Sequence, residues 1–524
     1  MTTPAVSQLG LPEIVGAAWN AIAEEMGRTL VRTAVSANVK ERRDCSAAIF
    51  TMDGDLLAQA AHIPIHISSL FGFPEFIRSQ QDLRPGDVFA SNDPYAGMGS
   101  HLNDIAVAAP VFVDGEAVAV VATIAHHPDV GGATPGSESP DSVSIFQEGL
   151  RIPPVRLMAE GKQVEDIWRL ITHNSRLTRV VDADMQAQVA AVKTGVGRTT
   201  ELVMRYGRHR LSEASAEWLD YAERRFRAGC TRLGGLRFTI EGELDDDGLG
   251  GQGVCVRGFG LISGDEALID LTGSDRQAAG GVNAPLSATK ASVYYALKSI
   301  VDPGCPNNQG YFRAIHLETR PGTVVDPLPP AAVGHRGALC QKLANSILRG
   351  VAEASSEHGA AESHGLSLVV LSGTGPDGPF VNYEGLAGGH GGGPHGPGLT
   401  VSMAHTTNSS NLPIEVMEHE YPLRVRRFQV RSGSAGAGIN AGGNGMVREY
   451  EIIADNIELT LSLTDSRVPP RGARGGQAGA PAIATVVTHA GARQLPAHKG
   501  HIRIPSGSRL VIETAGGGGW GPPE

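Results

Sequence analysis

The sequence is poor in cysteine and lacks any long apolar run. Its five cysteines, Cys45, Cys230, Cys255, Cys305 and Cys340, are widely spaced, and no two form a C-x-x-C pair. A disulfide framework and a cysteine zinc site are therefore not expected. No stretch of about 18 uncharged apolar residues occurs, and the N-terminus has no basic region followed by an apolar run. We expect a cytoplasmic protein with no membrane partner.

Positive charge is also scarce, because the formal net charge is -11. Binding to phosphate backbones requires clustered Lys and Arg, so nucleic acid is not an expected partner. Hydrophobic residues (41%) and charged residues (19%) are typical of a folded chain, whereas 68 glycines are many. These glycines must serve turns and close backbone approaches. A length of 524 residues predicts two to four structural units.

The sequence also lacks a nucleotide-binding motif. Gly161-Lys162 is followed by Gln163, and Arg156 stands where a P-loop needs its first glycine. Residues 248–253 and 391–396 match G-x-G-x-x-G, but neither follows a clear strand and opens a helix. In the polar stretch 405–418, no serine or cysteine has a recognisable nucleophile setting such as G-x-S-x-G. A nucleotide, if the protein needs one, must therefore bind elsewhere.

The pattern of apolar residues predicts an α+β fold. Apolar residues recur every three or four positions over residues 11–38, and residues 184–230 are again helical in character. Asp53-Gly54 and Asp114-Gly115 separate two pairs of strand-like segments, which is typical of two-residue hairpin turns. Residues 291–301 and 337–353 predict helices, and residues 236–272 and 380–524 predict strands and loops. We therefore divide the chain into a metal-site domain (1–230) and a β-rich, glycine-rich region (231–524).

Side chains that could bind a metal flank the second predicted hairpin. His101 and Asp104 precede it, and His126 and His127 follow it. If Asp114-Gly115 is the turn, the numbers of facing residues sum to 229, so Asp104 faces Ala125 and Asn103 faces His126. The two groups then meet at the open end of the hairpin. Strand alternation alone favours His127 beside Asp104. However, His101 and Asp104 can share a face only if the strand is irregular, and alternation then cannot choose, so His126 and His127 both remain candidates.

The first hairpin predicts one more ligand. Its facing pairs sum to 107, which places Asp44 at the open end, opposite Ile63 and near His62. Two histidines and two aspartates could bind Zn, Mn or Fe. The alternative is that the histidines are satisfied polar residues at strand ends and that Asp104 and Asp129 form turns or caps.

Several long motifs resemble those of the hydantoinase B/oxoprolinase family, along nearly the whole chain. They are residues 41–46 (ERRDCS), 61–68 (AHIPIHIS), 92–95 (NDPY), 99–104 (GSHLND), 126–132 (HHPDVGG), 146–154 (FQEGLRIPP), 382–385 (NYEG), 408–411 (NSSN), 420–423 (EYPL) and 516–521 (GGGGWG).

The resemblance implies one half of an ATP-dependent hetero-oligomer. In that family a hydantoinase A-like ATPase subunit phosphorylates a carbonyl oxygen, and the other subunit completes the reaction at a divalent metal, here Zn or Mn. Carried over to this sequence, the family's metal ligands are Asp44, His101, Asp104 and His126. We add His127 and Asp129 as candidates for acid/base or supporting roles at the catalytic site.

The expected function is therefore the hydrolytic opening of a hydantoin, 5-oxoproline or lactam ring, a small cyclic amide, after carbonyl phosphorylation by the partner. An alternative is a subunit of an ATP-dependent ketone carboxylase. A third is a catalytically idle scaffold for the ATPase, against which an intact set of ligands argues.

Overall fold

The structure, a computed structural model, describes residues 10–375 and 378–523. Its α-helices are α1 (Leu11–Thr33), α2 (Ala37–Lys40), α3 (Gly72–Arg78), α4 (Ile145–Glu148), α5 (Glu165–His173), α6 (Thr178–Tyr206), α7 (Arg208–Leu233), α8 (Leu286–Val301), α9 (Gln309–Phe312), α10 (Arg336–Ala354) and α11 (Ile414–Glu420). Short 3-10 turns lie at Pro64–His66 and Pro94–Ala96. Among the described helices, none is long and apolar enough to cross a bilayer.

The first seven strands form one antiparallel sheet. They are β1 (Cys45–Thr51), β2 (Leu56–Ala61), β3 (Val88–Ser91), β4 (Asp104–Val113), β5 (Glu116–His126), β6 (Val155–Ala159) and β7 (Lys162–Gln163). Their order is β2-β1-β5-β4-β3-β6-β7, so the two predicted hairpins are neighbours and β1 pairs with β5. The ends of β1, β4 and β5 therefore lie side by side.

Three further sheets follow. The strands of the second are β8 (Leu236–Leu244), β9 (Val254–Ser263), β10 (Glu266–Asp270) and β11 (Ile315–Glu318), in the order β11-β10-β9-β8. The third contains β12 (Ser367–Gly375), β13 (Gly378–Leu386), β16 (Ile457–Leu463) and β19 (His498–Ile504), in the order β13-β12-β16-β19. The fourth contains β14 (Leu423–Val430), β15 (Met446–Ile452), β17 (Ile483–Thr488), β18 (Gly491–Gln494) and β20 (Arg509–Glu513), in the order β14-β15-β20-β17-β18. The predicted α+β class is confirmed.

The centre of the first sheet is buried on both faces. Along β4, Ile105 and Val107 belong to one apolar cluster with residues of α1 and α6, whereas Ala106 and Ala108 belong to another with residues of α7 and α8. Alternate side chains of a strand point to opposite faces. This explains why β4 and β5 are almost continuously apolar until each meets the polar site at its end.

The predicted helix over residues 11–38 is interrupted by one buried carboxylate. Asp184, on α6, accepts hydrogen bonds from the backbone N–H groups of Val35 (2.8 Å) and Ser36 (3.1 Å). These N–H groups are thereby satisfied outside a helix, so α1 ends at Thr33. The Ser36 hydroxyl then caps α2 by accepting from the N–H of Val39.

Much of the excess glycine lies where backbones cross without room for a side chain. The C-terminal Gly516-Gly519 segment is bonded to several other glycine-rich segments, for example through Gly517 N to Gly443 O (3.0 Å) and Gly436 N to Gly517 O (2.9 Å). A Cβ atom on Gly517 would lie 1.9 Å from the carbonyl oxygen of His390. Glycine is therefore required there by close packing of backbones.

The predicted division near residue 230 coincides with the end of α7 at Leu233. The largest apolar cluster nevertheless contains residues from both sides of that position, such as Phe50 and Leu343. The two-part division stays a prediction.

Candidate metal centre

The second hairpin pairs Asp104 directly with His126. Asp114 (φ 52°) and Gly115 (φ 83°) form the predicted two-residue turn, and Val113 faces Glu116 as expected. The register then shifts by one residue between Val111 and Phe112, which is a β-bulge. The predicted pairing of Asp104 with Ala125 is therefore wrong, because the bulge moves every later pair by one.

The first hairpin follows its predicted register only near its open end. Facing pairs from Ser46 to Ile49 sum to 107, but Phe50 faces Leu56, so a second bulge precedes the turn. Strand β1 ends at Thr51 and β2 begins at Leu56, so four residues join the two strands instead of the expected two. The open end, where Asp44 lies, is placed as predicted.

His101, Asp104 and His126 form a buried group at the end of the second hairpin. One potential ligand atom from each lies within 4.8 Å of the others. His101 precedes β4 in a tight turn, where the N–H of Asp104 donates to the His101 carbonyl oxygen (3.1 Å). This turn supplies the irregular backbone that lets two residues three apart face the same point, and His101 Nε2 lies 3.3 Å from Asp104 Oδ1.

The three inward atoms have no hydrogen-bond partner in the part of the chain that the structure describes. They are His101 Nε2, Asp104 Oδ1 and His126 Nε2. A buried polar atom without a partner costs about 1–3 kcal/mol. Two imidazole nitrogens and a carboxylate oxygen converging in this way fit a divalent cation.

The outward nitrogen of each of these two histidines has a close polar neighbour. Glu138 Oε1 lies 3.4 Å from His101 Nδ1, and Asn38 Nδ2 lies 3.1 Å from His126 Nδ1. An imidazole that donates the proton of one nitrogen to a neighbour leaves its other nitrogen free to bind a metal. The Glu138 carboxylate can accept from His101 Nδ1 in this way, although the contact does not have hydrogen-bond geometry. The Asn38 amide nitrogen is a donor, so His126 can bind a metal through Nε2 only when the Asn38 amide is turned so that its oxygen accepts from Nδ1.

Arg336 joins these contacts into a closed ring. Its guanidinium donates to Asp104 Oδ2 (3.1 Å), to Glu138 Oε1 (3.3 Å) and to the Ser100 hydroxyl (2.9 Å). Ser100 in turn donates to Asp104 Oδ2. One oxygen of Asp104 is therefore saturated with donors, and the other is left to face the two histidines.

Asp44 lines the same cavity and contacts His66, but it is not part of the group whose ligand atoms lie within 4.8 Å of one another. Its side chain is 15% exposed, and its carboxylate lies 3.9 Å from His66 Nε2. The expected neighbour, His62, instead lies beside the Cys45 sulfur (3.9 Å). The Asp44 carbonyl oxygen also accepts from the N–H of His126 (3.0 Å), which ties the start of β1 to the end of β5.

Burial and charge move the pKa values of the histidines in opposite directions. Burial lowers the pKa of His126 to about 4. Burial and the positive charge of Arg336 also lower the pKa of His101. Asp104 and Glu138 outweigh them and raise this pKa to about 8. Burial opposes ionisation of Asp104, yet the adjacent His101, His66 and Arg336 hold its pKa well below its usual range. Asp104 is therefore charged, whereas His101 has to release a proton before its Nε2 can bind a cation.

A cavity of about 50 Å³ opens onto this group. Its lining includes the polar residues Asp44, His66, His126, Glu138, Arg336, Tyr383, Thr407 and Ser409 and the apolar residues Ile63, Ile65, Leu366 and Met403. The Tyr383 ring packs on His126, with ring centroids 4.5 Å apart. Burial, Glu138 and Asp44 raise the pKa of Tyr383 well above its usual value, so its hydroxyl stays protonated.

His127 and Asp129 do not line this cavity among the described residues. His127 Nε2 pairs with the side-chain oxygen of Gln188 on α6 (3.0 Å). The Asp129 carboxylate accepts from the N–H groups of Gly131 and Gly136 and binds Arg176 (2.9 Å). These contacts hold the loop after β5, so His126, and not His127, is the histidine that joins the group.

Four residues at the site were absent from the predicted set. Glu138 and Arg336 carried no recognisable local signal, because each reaches the site only through the tertiary fold. Tyr383 lies in the segment 382–385, which resembles the family, but the resemblance implied no role for this residue. His66 lies in the segment 61–68, which resembles the family, but the resemblance implied no role for this residue.

The buried group of two histidines and one aspartate in this α+β chain could hold a metal ion. The family model described as hydantoinase B/oxoprolinase matches residues 11–523, and the chain belongs to this family. The predicted classification as an enzyme of the type that hydrolyses cyclic amides is thereby confirmed at the level of the family.

Two relatives illustrate the range of the family. 5-Oxoprolinase 1 of Arabidopsis thaliana is 34% identical over 531 residues, which are 95% of this chain but only 41% of that protein. A protein of Pseudomonas sp. (strain NS671), named as one subunit of a putative D-/L-hydantoinase, is 29% identical over 522 residues, 96% of this chain and 88% of the other. The chain thus corresponds to about two fifths of the first relative and to most of the second.

Two solved structures share the fold. The ATP-dependent caprolactamase from Pseudomonas jessenii superimposes with a TM-score of 0.89 at 27% identity, covering 99% of this chain and 92% of that one. A nucleotide-free acetone carboxylase also has a TM-score of 0.89, covering 98% of this chain and 76% of that one, but at 16% identity. The second likeness shows the fold alone.

Proposed function

We propose that this chain is the cation-dependent hydrolytic subunit of an ATP-dependent cyclic amidase, which opens a hydantoin, 5-oxoproline or lactam ring. The observation that carries the proposal is the convergence of three buried, unpartnered donor atoms from His101, Asp104 and His126. The names of the related proteins, a 5-oxoprolinase, one part of a hydantoinase and a caprolactamase, support a cyclic amide as substrate.

Asp44, His101, Asp104 and His126 are the residues that would hold Zn²⁺ or Mn²⁺. The chemistry that such a cation supplies is Lewis acidity, which can lower the pKa of water toward about 7. Arg336 and Glu138 keep Asp104 and His101 oriented. Tyr383, protonated at the cavity wall, can donate a hydrogen bond to a substrate oxygen. The acid/base role of His127 and Asp129 stays a prediction, and their contacts favour a supporting role.

ATP would be used in a partner of the hydantoinase A type, in a hetero-oligomer. The sequence has no Walker motif, the Pseudomonas relative is named as one subunit of a larger enzyme, and more than half of the Arabidopsis relative lies outside the match. Phosphoryl transfer to the carbonyl oxygen makes the amide carbon electrophilic. Water then adds to that carbon, the ring C–N bond breaks, and a second water hydrolyses the resulting acyl phosphate to carboxylate and phosphate.

The test is turnover by the complex of this chain with its ATPase partner in bicarbonate-depleted buffer. We expect opening of 5-oxoproline, a hydantoin or a simple lactam, consumption of ATP, and solvent ¹⁸O in the new carboxylate. His126→Ala and Asp104→Ala should lose the product but keep some ADP formation, because the two steps use different sites. His62→Ala, which changes a nearby histidine outside the cavity, is the control. Intact turnover in both site variants would contradict the proposal.

The second candidate is a subunit of an ATP-dependent ketone carboxylase, and the fold shared with acetone carboxylase is the observation that favours it. In that reaction bicarbonate is a substrate. If the complex consumes ketones only with bicarbonate and leaves every cyclic amide intact, the carboxylase is the correct function.

A further inference from the structure

Glu384 is a buried carboxylate on β13, directly after Tyr383 of the metal cavity. Neighbouring side chains of a strand point to opposite faces, so Glu384 points away from the cavity. On that far face it packs against β15, where its carboxylate accepts hydrogen bonds from Arg448 (3.3 Å) and from the Tyr450 hydroxyl. The two faces of β13 therefore have different partners, the cavity on one side and β15 on the other.

Strand β13 lies at the edge of its sheet, so backbone hydrogen bonds hold it on one side. Within the described part of the chain it pairs with β12 alone, and Tyr383 faces Val370 across that ladder. The Tyr383 ring packs on His126, which belongs to a different sheet. Contacts between the sheets must therefore set the position of this ring over the histidine.

Glu384 supplies one such contact through Arg42. Arg42 Nη2 lies 3.5 Å from Glu384 Oε1, and both side chains are buried. Arg42 lies in the segment that leads into β1, and β1 pairs with β5, the strand that ends at His126. The carboxylate thus connects the strand that carries Tyr383 to the sheet that carries His126.

We propose that Glu384 is a positioning residue for the opening of the ring. It holds the edge strand so that the Tyr383 hydroxyl lies where it can donate a hydrogen bond to an oxygen of the substrate. The inference rests on the proposed function, because it concerns the cavity in which the cyclic amide would react. Glu384 lies on the far face of β13 and acts through Tyr383, without touching the substrate.

The alternative is that Glu384 only stabilises the fold, and Glu362 offers a matched comparison. Glu362 is also buried and also pairs with two basic side chains, Lys342 (3.3 Å) and Arg471 (2.8 Å). Neither of the residues adjacent to it in the sequence lines the metal cavity. A purely structural carboxylate should therefore behave as Glu362 does.

The first experiment is a double-mutant cycle on turnover by the complex of this chain with its ATPase partner. Tyr383→Phe keeps the ring and removes the hydroxyl. We expect Glu384→Gln to lower kcat about tenfold in the wild-type background and at most about threefold in the Tyr383→Phe background. Glu362→Gln should change kcat by one common factor in both backgrounds, as a loss of folded protein would. Equal factors for Glu384→Gln in the two backgrounds would overturn the proposal.

Arg42→Met is a milder variant, for use if Glu384→Gln does not fold. It removes one contact of Glu384 and leaves those with Arg448 and Tyr450. It should also lower kcat more in the wild-type background than in the Tyr383→Phe background. Equal factors here would likewise overturn the positioning role.

The second experiment needs no turnover. When Tyr383 of the full-length chain is replaced by 3-fluorotyrosine, ¹⁹F NMR reports the surroundings of that ring. Glu384→Gln should shift or broaden the signal, whereas Glu362→Gln should leave it in place. An unchanged signal in Glu384→Gln would contradict the proposal. If the wild-type complex opens no cyclic amide, the proposed function fails, and this comparison still decides whether Glu384 positions Tyr383.

Discussion

Glu138→Gln is the most informative single change around the metal centre. Glu138 is 1% exposed, and its carboxylate lies 3.4 Å from His101 Nδ1 and 3.3 Å from Arg336 Nη1. Burial opposes its ionisation, but the hydrogen bond and charge of His101 outweigh burial and lower the pKa of Glu138 to about 2. The side chain is therefore a buried carboxylate, and glutamine removes its charge while nearly preserving its shape.

The expected effect is on metal affinity more than on folding. Losing a group that orients a metal ligand costs about 10–100-fold in affinity, or about 1.4–2.7 kcal/mol. With Glu138 neutral, Asp104 is the one carboxylate among the described residues that still contacts Arg336. Arg336 then competes more strongly with the cation for Asp104. The loss of folding stability should stay below the roughly 3–5 kcal/mol of a broken buried ion pair, because the amide oxygen can still accept hydrogen bonds.

Competition with a fluorescent chelator measures the metal dissociation constant, and urea unfolding measures stability. Glu148→Gln is the matched control. Glu148 is the last residue of α4 and is also buried, but it accepts from the N–H groups of Val333 and Gly334 instead of contacting a proposed ligand. Equal loss of metal affinity in both variants would mean that the effect is general destabilisation. If Glu138→Gln binds the metal as tightly as the wild type does, Glu138 does not orient His101 for metal binding, and the role assigned to it is refuted.

Three further predictions concern the rest of the chain. Gly517→Ala should lower the free energy of unfolding by several kcal/mol, and with it the unfolding temperature, because its Cβ would lie 1.9 Å from the His390 carbonyl oxygen. Gly396→Ala is the control and should unfold as the wild type does, because no atom lies within 4 Å of the added Cβ. Burial raises the pKa of Glu148 to about 7, so its contribution to stability is full below about pH 4.5 and is lost as pH rises through 7; Glu148→Gln should flatten the unfolding free energy across this window. The isolated chain should show no micromolar ATP binding by calorimetry, since it lacks a Walker motif, and such binding would contradict the proposed division of labour.

The local parts of the fold were predictable because their signals are local. The 3.6-residue periodicity located α1, and Asp114-Gly115 gave a turn with both residues at positive φ. The turn at Asp53-Gly54 was longer than predicted, and a bulge lies in each hairpin. A bulge depends on how a strand must bend against its neighbours, and neither bulged segment carries a glycine or asparagine that would mark it.

The bulge in the second hairpin decided the identity of the ligand. With regular pairing, strand alternation would have placed His127 beside Asp104, and the count alone left both histidines open. The shifted register pairs Asp104 with His126 and leaves His127 to bind Gln188 on α6. A one-residue change in register moves a side chain to the other face of a sheet, so errors of this size are small for the fold and decisive for a site.

The polar surroundings of the site could not be predicted for a different reason. The predicted ligands lie within residues 44–126, but Arg336 is 232 positions from Asp104, the residue it orients, and Tyr383 packs on His126 from the third sheet. Contacts at such separations follow from the packing of whole sheets and leave no trace in local periodicity. A boundary at residue 230 would therefore separate the ligands from the arginine that holds one of them. The ligands alone define where a cation can bind, but the second half of the chain completes the charge balance and the cavity wall on which catalysis would depend.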